Sequence, residues 1–176
     1  MLSELVITKE QYHKFYDNIT WENCTLRCEY LNNKFYNTFC DSDKKRIVET
    51  SNHNPSNLWY YTAGGNDTRD KIFILGLEEV DKYFGNSGDY VKKRRKQYYN
   101  GFVTLDYYNG QCFCNIYDLD RIAKDLNGEM YWWWLRSPGL FNIRAAYVGN
   151  VGSVFVCGDF VSNIFGGVRP ALWLNL

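Results

Sequence analysis

The chain has 176 residues, which fits one domain of ordinary size, and its 20 Lys and Arg residues balance its 20 Asp and Glu residues. A net charge of zero provides no overall field to attract nucleic acid or an anionic membrane, so nucleic-acid binding is not expected. No apolar run approaches the roughly 18 residues of a membrane span, and segment 1–6 lacks the basic and apolar regions of a signal peptide. We expect a soluble chain without a membrane span or a leader.

The first elements predicted in chain order are a short strand at 5–8 and a helix that Thr20 caps and that ends near Phe39. The helix is indicated by an apolar series at helical spacing, in which the two cysteines are expected to behave as small buried hydrophobes. This series is Cys24, Cys28, Leu31 and Phe35.

The middle of the chain alternates between loops and short elements. Residues 41–46 are predicted as a charged turn, and the Asn-, Gly- and Ser-rich segment 52–70 as a loop. The apolar run 71–75 favours a strand, and 77–84 favours a short helix packed on it.

The pattern weakens from 85 to 110, where five consecutive positive charges at 92–96 indicate a solvated loop or exposed helix turn. Residues 119–126 favour a further helical turn or two. After Met130 short β-like runs punctuated by Gly replace helical periodicity. Helices early and strands late predict an α+β domain.

Aromatic residues are unusually abundant, with 6 Trp, 15 Tyr and 11 Phe. This exceeds what the interior of a small domain needs, so some rings are expected on the surface as binding anchors. The three consecutive tryptophans 132–134 are predicted as core and sheet wall rather than as a stacking platform, because Trp buries a large area at modest entropy cost. Their indole N–H groups need hydrogen-bond partners.

The residues that carry most metal and nucleophile chemistry do not form a recognisable motif. Cys112 and Cys114 lie on one side of a predicted strand, but a structural zinc site needs four N or S ligands and the histidines are only His13 and His53. A catalytic thiol or hydroxyl needs a nearby base, and both histidines lie in uninformative, loop-like contexts. We therefore expect no metal, no cofactor and no catalytic residue.

One window departs from chance in composition. The 38 residues between Trp134 and Trp173 contain no Lys, Glu, Gln, Met or Trp. These five types account for thirty of the 176 residues, so about six or seven are expected in a window of this length. They are the amino acids that a codon ending in C or T cannot encode. The window therefore resembles a rigid frame interspersed with positions drawn from a restricted, randomised codon.

Segments 133–139 (WWLRSPG) and 167–172 (GVRPAL), with spaced Ala, Val and Gly residues between them, carry a family resemblance. Upstream, segments 20–22 and 71–80 follow the same pattern. The chain resembles a bacterial and phage family with a C-type-lectin-like fold. That family includes the variable proteins of diversity-generating retroelements, in which a reverse transcriptase copies a template repeat with errors at adenines. Asn codons ending in C or T would then become other codons with the same last base.

The resemblance implies one C-type-lectin-like domain over 1–176, with two short helices, small antiparallel sheets, long irregular C-terminal loops and a variable region at 140–165. It divides that region into a fixed frame and diversified binding positions. The frame is Ala145, Ala146, Val148, Gly152, Val154, Gly158, Val161, Gly166 and Gly167. The diversified positions are Leu140, Phe141, Asn142, Ile143, Arg144, Tyr147, Gly149, Asn150, Val151, Ser153, Phe155, Val156, Cys157, Asp159, Phe160, Ser162, Asn163, Ile164 and Phe165.

The function implied is non-enzymatic binding of a protein or cell-surface ligand through this variable face, with the phenylalanines as surface anchors rather than strand core. Two alternatives stay open. One is a binding or structural module of the same fold whose loops never vary. The other is a cysteine-dependent oxidase of the formylglycine-generating type, whose Gly-Phe-Arg ending resembles 167–169 and whose candidate thiols are Cys112 and Cys157.

The chain departs from the family pattern in two respects. Family members carry an additional N-terminal strand with a Trp, which leaves open a truncated domain, a natural short form or the C-terminal part of a longer protein. Neither Glu-Pro-Asn nor Gln-Pro-Asp is present, so calcium-dependent sugar binding is not expected. The sequence leaves open the oligomeric state. The location also stays open: cytoplasmic, or carried on a phage particle or cell surface through another chain or segment.

Overall fold

The computed structural model describes residues 1–98 and 112–175, and within them the chain is an α+β structure. All described helical segments precede residue 122, and the largest sheet is built mainly from the last third. The helices are a π-helix at Leu26–Phe35, α1 at Asp41–Arg46, α2 at Leu77–Tyr83, α3 at Asp89–Tyr98 and α4 at Asp118–Arg121, with 3-10 turns at Trp21–Asn23 and Tyr36–Thr38.

The strands form one six-stranded sheet and three two-stranded sheets. The strands are β1 Thr8–Lys9, β2 Ile47–Val48, β3 Thr50–Asn52, β4 Thr68–Asp70, β5 Cys112–Phe113, β6 Ala123–Lys124, β7 Met130–Tyr131, β8 Trp133–Pro138, β9 Arg144–Val148, β10 Val154–Phe160, β11 Gly167–Val168 and β12 Trp173–Leu174. The large sheet has the order β1-β11-β8-β9-β10-β5, in which only the β11–β8 pair is parallel. The small sheets pair β12 with β2, β3 with β4 and β6 with β7.

Strands β8, β9 and β10 form the centre of the large sheet. All six residues of β8 are buried, as expected for a strand covered on both faces. In β9 and β10 a few partly exposed residues stand among buried ones, namely Arg144 and Tyr147 in β9 and Phe155, Asp159 and Phe160 in β10. The second face of β9 and β10 is therefore available to form a surface.

The helical part departs from prediction. Four α-helices and a π-helix are present in the described residues where two short helices were expected, and 41–46 is helix α1 rather than a turn. The helix predicted from Thr20 is broken into three pieces, and no side-chain hydrogen bond from Thr20 caps the first. Extended backbone at Cys24 interrupts it, because that residue follows the 3-10 turn with a ψ angle of 149°.

Two further local predictions need correction. The apolar run 71–75 is buried as expected, but Phe73 makes only an isolated bridge to Ala171 instead of a strand. The predicted helix at 119–126 ends with α4 at Arg121 and is followed by strand β6. By contrast, the helix predicted at 77–84 is confirmed as α2, where the Glu79 carboxylate accepts a hydrogen bond from the Gly76 N–H at 2.8 Å.

The C-terminal part is β-structure, as predicted, but it is more regular than the long irregular loops that were expected. A four-residue turn joins β9 to β10, closed by a hydrogen bond from the Gly152 N–H to the Gly149 carbonyl at 2.9 Å. The two chain ends also meet, since Leu172 N–H donates to the Met1 carbonyl at 2.8 Å. Tight turns and paired ends hold the central strands in a fixed arrangement.

Candidate binding surface

The larger of the two described cavities is a groove of about 510 Å³ over the outer face of the large sheet. A cavity of this size lies within the range of small-molecule sites. The groove is lined by Met130, Tyr131, Trp132, Tyr147, Gly149, Asn150, Phe155, Asp159, Asn163 and Phe165. Seven of these ten residues belong to the predicted diversified positions.

Adjacent strands bring the groove's aromatic rings together. In the sheet register Tyr147 of β9 lies opposite Phe155 of β10, and the two rings stack at 4.6 Å between centroids with 3° between their planes. Trp132, just before β8, packs edge-on against Tyr147 at 5.1 Å. Cross-strand aromatic pairs of this kind stabilise a sheet, and here they also form a continuous apolar wall.

The three consecutive tryptophans divide between the core and the groove. Trp133 and Trp134 are fully buried, as predicted, and their indole N–H groups donate to the carbonyls of Arg121 and Glu10 at 3.1 and 3.0 Å. Trp132 is only partly buried and lines the groove, so of the predicted core and sheet wall it belongs to the wall.

Sequence reasoning missed Met130, Tyr131 and Trp132 as groove residues, because they precede the compositional window. One signal could have indicated their role. The aromatic surplus predicted accessible rings as binding anchors, and Tyr131 and Trp132 are the aromatic residues next to the window. The groove thus has one wall outside the window and one wall within it.

The β9–β10 turn requires the frame glycine at 152. Gly152 has a φ of +86°, a backbone conformation that disfavours residues with a side chain. A Cβ atom there would also lie 1.8 Å from the carbonyl oxygen of Asp118, too close for any real contact. The turn places Gly149 and Asn150 in the groove lining, and the Gly152 carbonyl accepts a hydrogen bond from Arg121 Nε of α4 at 2.8 Å.

A second frame glycine permits an irregularity within β10. The register between β9 and β10 shifts between Phe155 and Asp159, and Gly158 lies in that interval with a φ of +75°. A Cβ at Gly158 would lie 2.4 Å from the Ala145 carbonyl oxygen. Such β-bulges re-aim neighbouring side chains, and Asp159, the next residue, lines the groove.

Burial separates the frame from the diversified positions. All nine frame residues are buried. Among the nineteen diversified positions only Gly149, Ser153, Val156 and Cys157 are buried, and the others are partly or largely exposed. Val156 is fully buried in the core, so its side chain cannot contact a ligand in this structure, which corrects its assignment to the binding face.

The exposed diversified positions extend beyond the groove. Phe141 is more than half exposed, and its neighbour Asn142 donates from its side chain to the Ala63 carbonyl at 2.9 Å, on the loop between β3 and β4. Elsewhere the Arg144 guanidinium lies 4.2 Å from the ring centre of Phe160, whose ring also packs on Tyr16 at 5.2 Å. The nineteen residues therefore cover a broad surface, of which the groove is one part.

The five aromatic residues of the variable region take different environments. Phe141 and Phe165 are more than half exposed. Tyr147, Phe155 and Phe160 are partly exposed. None of these five rings is fully buried, so the four phenylalanines are at least partly accessible.

Asp159 is the charged residue of the groove lining. Its carboxylate accepts hydrogen bonds from the Phe160 N–H at 2.7 Å and from the Asn163 side-chain amide at 2.8 Å. Burial raises the pKa of the neighbouring Tyr147 hydroxyl, and Cys157 and Asp159 shift it in the same direction. The tyrosine is therefore neutral at physiological pH, and Asp159 gives the groove its negative charge.

The thiols proposed for an oxidase lack the environment of an activated cysteine. Burial raises the pKa of Cys112 to about 11, and it also raises the pKa of Cys157. An activated thiol needs the opposite shift, because the thiolate is the nucleophile. The histidines are engaged elsewhere: His13 lies 3.3 Å from Asp17, and His53 lies 2.8 Å from Asp67.

The smaller cavity, of about 230 Å³, contains several cations that already have partners. Arg27 donates to the buried Asp70 carboxylate at 2.6 Å, and Arg69 donates to Glu49 at 2.8 Å. Lys71 donates to the Tyr36 hydroxyl at 3.0 Å. Because the carboxylates neutralise both arginines, this cavity is a weaker candidate for a charged ligand.

Two features are absent from residues 1–98 and 112–175. These residues contain no group of three or more His, Cys, Asp and Glu side chains placed to hold a metal ion. Within the same ranges no helix combines the length and the apolar character required to cross a lipid bilayer.

Comparison with known proteins gives one result. Neither the curated proteins nor the solved structures include a match to the chain. One protein-family model, described as a domain of unknown function (DUF6273), matches residues 1–176. Since this match covers the whole sequence, the chain belongs to the DUF6273 family.

Proposed function

We propose that the chain is a non-enzymatic binding protein with a C-type-lectin-like fold, and that its outer face is diversified by a retroelement to recognise a protein or cell-surface ligand. One observation carries the proposal. The positions that the resemblance assigns to the fixed frame are all buried, whereas fifteen of the nineteen assigned to the diversified set are accessible. A face that varies to bind ligands requires accessible side chains on a buried frame, so this distribution of burial supports a binding face.

The geometry suits this role. Fixed glycines set the β9–β10 turn and the β10 bulge, and buried valines and alanines fill the core beneath them. Side chains on the outer face can then change without altering the backbone, since they do not contribute to the core. A scaffold of this kind presents many different surfaces on one fold.

The test is to sequence the locus and its counterparts in closely related isolates. We expect a nearby reverse transcriptase gene and a near-identical template repeat with adenines at the nineteen diversified codons. Substitutions among isolates should fall on those codons and spare the nine frame codons. The absence of both template and reverse transcriptase, or substitutions spread equally over frame positions such as Ala146 and Gly158, would overturn the proposal.

The alternative functions predict different results. A fixed binding module predicts identical residues 140–165 in related isolates, with no template repeat. A cysteine oxidase predicts that Cys112→Ser and Cys157→Ser abolish an oxygen-dependent thiol oxidation. The raised pKa values of both thiols favour the binding protein over the oxidase.

A further inference from the structure

The groove combines an aromatic wall with a negative charge. Trp132, Tyr147 and Phe155 form the wall, and Phe165, 60% exposed, lies among the other lining residues. Electron-rich rings attract cations, most strongly when the cation is withdrawn from water. An apolar wall alone would accept many ligands, whereas a wall beside a carboxylate selects for positive charge.

Asp159 has capacity for a further partner. Each of its two oxygens accepts one described hydrogen bond, and a carboxylate offers about four lone-pair sites. In the described part of the chain no salt bridge involves Asp159, and the groove lining contains no Lys, Arg or His. The negative charge of the groove is therefore not neutralised by its own walls.

The chain already uses the same chemistry at the edge of the groove. The Lys9 ammonium lies 4.1 Å from the ring centre of Tyr131, a lining residue, and 3.7 Å from the Asp125 carboxylate. A ring and a carboxylate together thus hold a cation beside the groove. Inside it, the stacked rings and Asp159 repeat that combination without an internal cation.

We propose that the groove binds an arginine or lysine side chain of a protein ligand, which donates to Asp159 and lies against the rings of Trp132, Tyr147 and Phe155. This proposal rests on the binding function proposed above and specifies its ligand chemistry. Charge complementarity carries it, since a basic side chain supplies both the long apolar stem that matches the aromatic wall and the cation that Asp159 lacks.

The test uses the full chain and two probes of matched shape. N-acetyl-arginine amide carries the guanidinium, and N-acetyl-citrulline amide replaces it with a neutral urea. Binding is followed by the nitrogen–proton NMR signal of the Trp132 indole, assigned with Trp132→Phe. We expect saturable shifts with the arginine probe at roughly millimolar concentration, and at least fivefold weaker binding of the citrulline probe.

Variants then test whether the Asp159 carboxylate is the group that binds the guanidinium. Asp159→Asn should weaken arginine binding at least fivefold and leave citrulline binding unchanged, whereas Asp120→Asn, at an exposed acid outside the groove lining, should change neither. If Asp159→Asn does not fold, Phe165→Ser removes a largely exposed lining ring and should weaken arginine binding. Equal binding of the two probes, or arginine binding that neither groove variant affects, would overturn the proposal.

The result of the arginine-binding test can be distinguished from the result of sequencing the locus. If related isolates vary at the diversified codons but the arginine probe does not bind, the diversified surface stands and its cationic ligand is rejected. If the probe binds as expected but no template repeat exists, the groove is a cation site on a fixed module.

Discussion

Neighbouring residues of β9 and β10 differ sharply in what surrounds them. Ala146 and Val148 lie in the core, while Tyr147 between them lines the groove, and Val154 is fully buried beside the partly exposed Phe155. Each accessible residue is therefore the direct chain neighbour of a buried one. One strand can therefore stabilise the core with some of its side chains and form an accessible surface with their neighbours, because successive side chains point to opposite faces of the sheet.

The largest expected loss of stability comes from a substitution in the core. Trp133→Ala removes a fully buried indole and its hydrogen bond to Arg121, and should lower the free energy of unfolding by about 3–5 kcal/mol. Urea denaturation followed by circular dichroism measures it. Trp132→Ala, at the partly buried neighbour, is the matched control and should cost clearly less. Equal losses would mean that the two positions are not divided between core and groove.

A smaller effect compares adjacent positions within β9. Val148→Ala should cost about 2 kcal/mol because it leaves a void in the core. Tyr147→Ala loses only a half-exposed ring and its stacking on Phe155, so we expect about 1 kcal/mol. Urea denaturation of the two variants measures which of them loses more free energy of unfolding. A Tyr147 variant that is less stable than the Val148 variant would contradict the assignment of Tyr147 to the changeable surface.

The smallest effect concerns Cys157, a predicted diversified position that the structure buries. Burial raises its thiol pKa, so less thiolate is present at pH 8 and alkylation by iodoacetamide should be at least tenfold slower than at the exposed Cys114. Mass spectrometry of digested protein measures both rates. In urea the two rates should converge.

The pH dependence follows from the same shift. A raised pKa means that the native Cys157 rate keeps rising with pH after the rate of the unfolded chain has levelled off, near pH 9 to 10. Fast labelling of native Cys157 at pH 8 would contradict its burial and add this residue to the accessible positions.

Much of the fold could be predicted from local pattern. Helix α2 was predicted because Leu77 and Val80 have helical spacing, and the β character of the last third followed from Gly-punctuated apolar runs. The breaks near Cys24 and the absence of a strand at 71–75 could not be predicted. Burial against distant segments, such as the Phe73 bridge to Ala171, decides backbone form there more than local propensity does.

For the candidate site, composition indicated a segment of the chain, and the structure showed the groove to which part of that segment contributes. The missing residue types marked the window between Trp134 and Trp173, and the family resemblance predicted a variable region at 140–165 within it. The groove itself joins Tyr147, Phe155 and Asp159 to residues 130–132, which lie outside the window. Only the strand register brings these two segments side by side.

The sequence by itself determined the α+β class, the β character of the last third, and the burial of Trp133 and Trp134. These depend on period and residue type, which are local. The tertiary structure decided that Trp132 lies in a groove, that Val156 does not face solvent, and that Asp159 makes no salt bridge with another described residue. These depend on which strands are neighbours, and that is set by the packing of the whole chain.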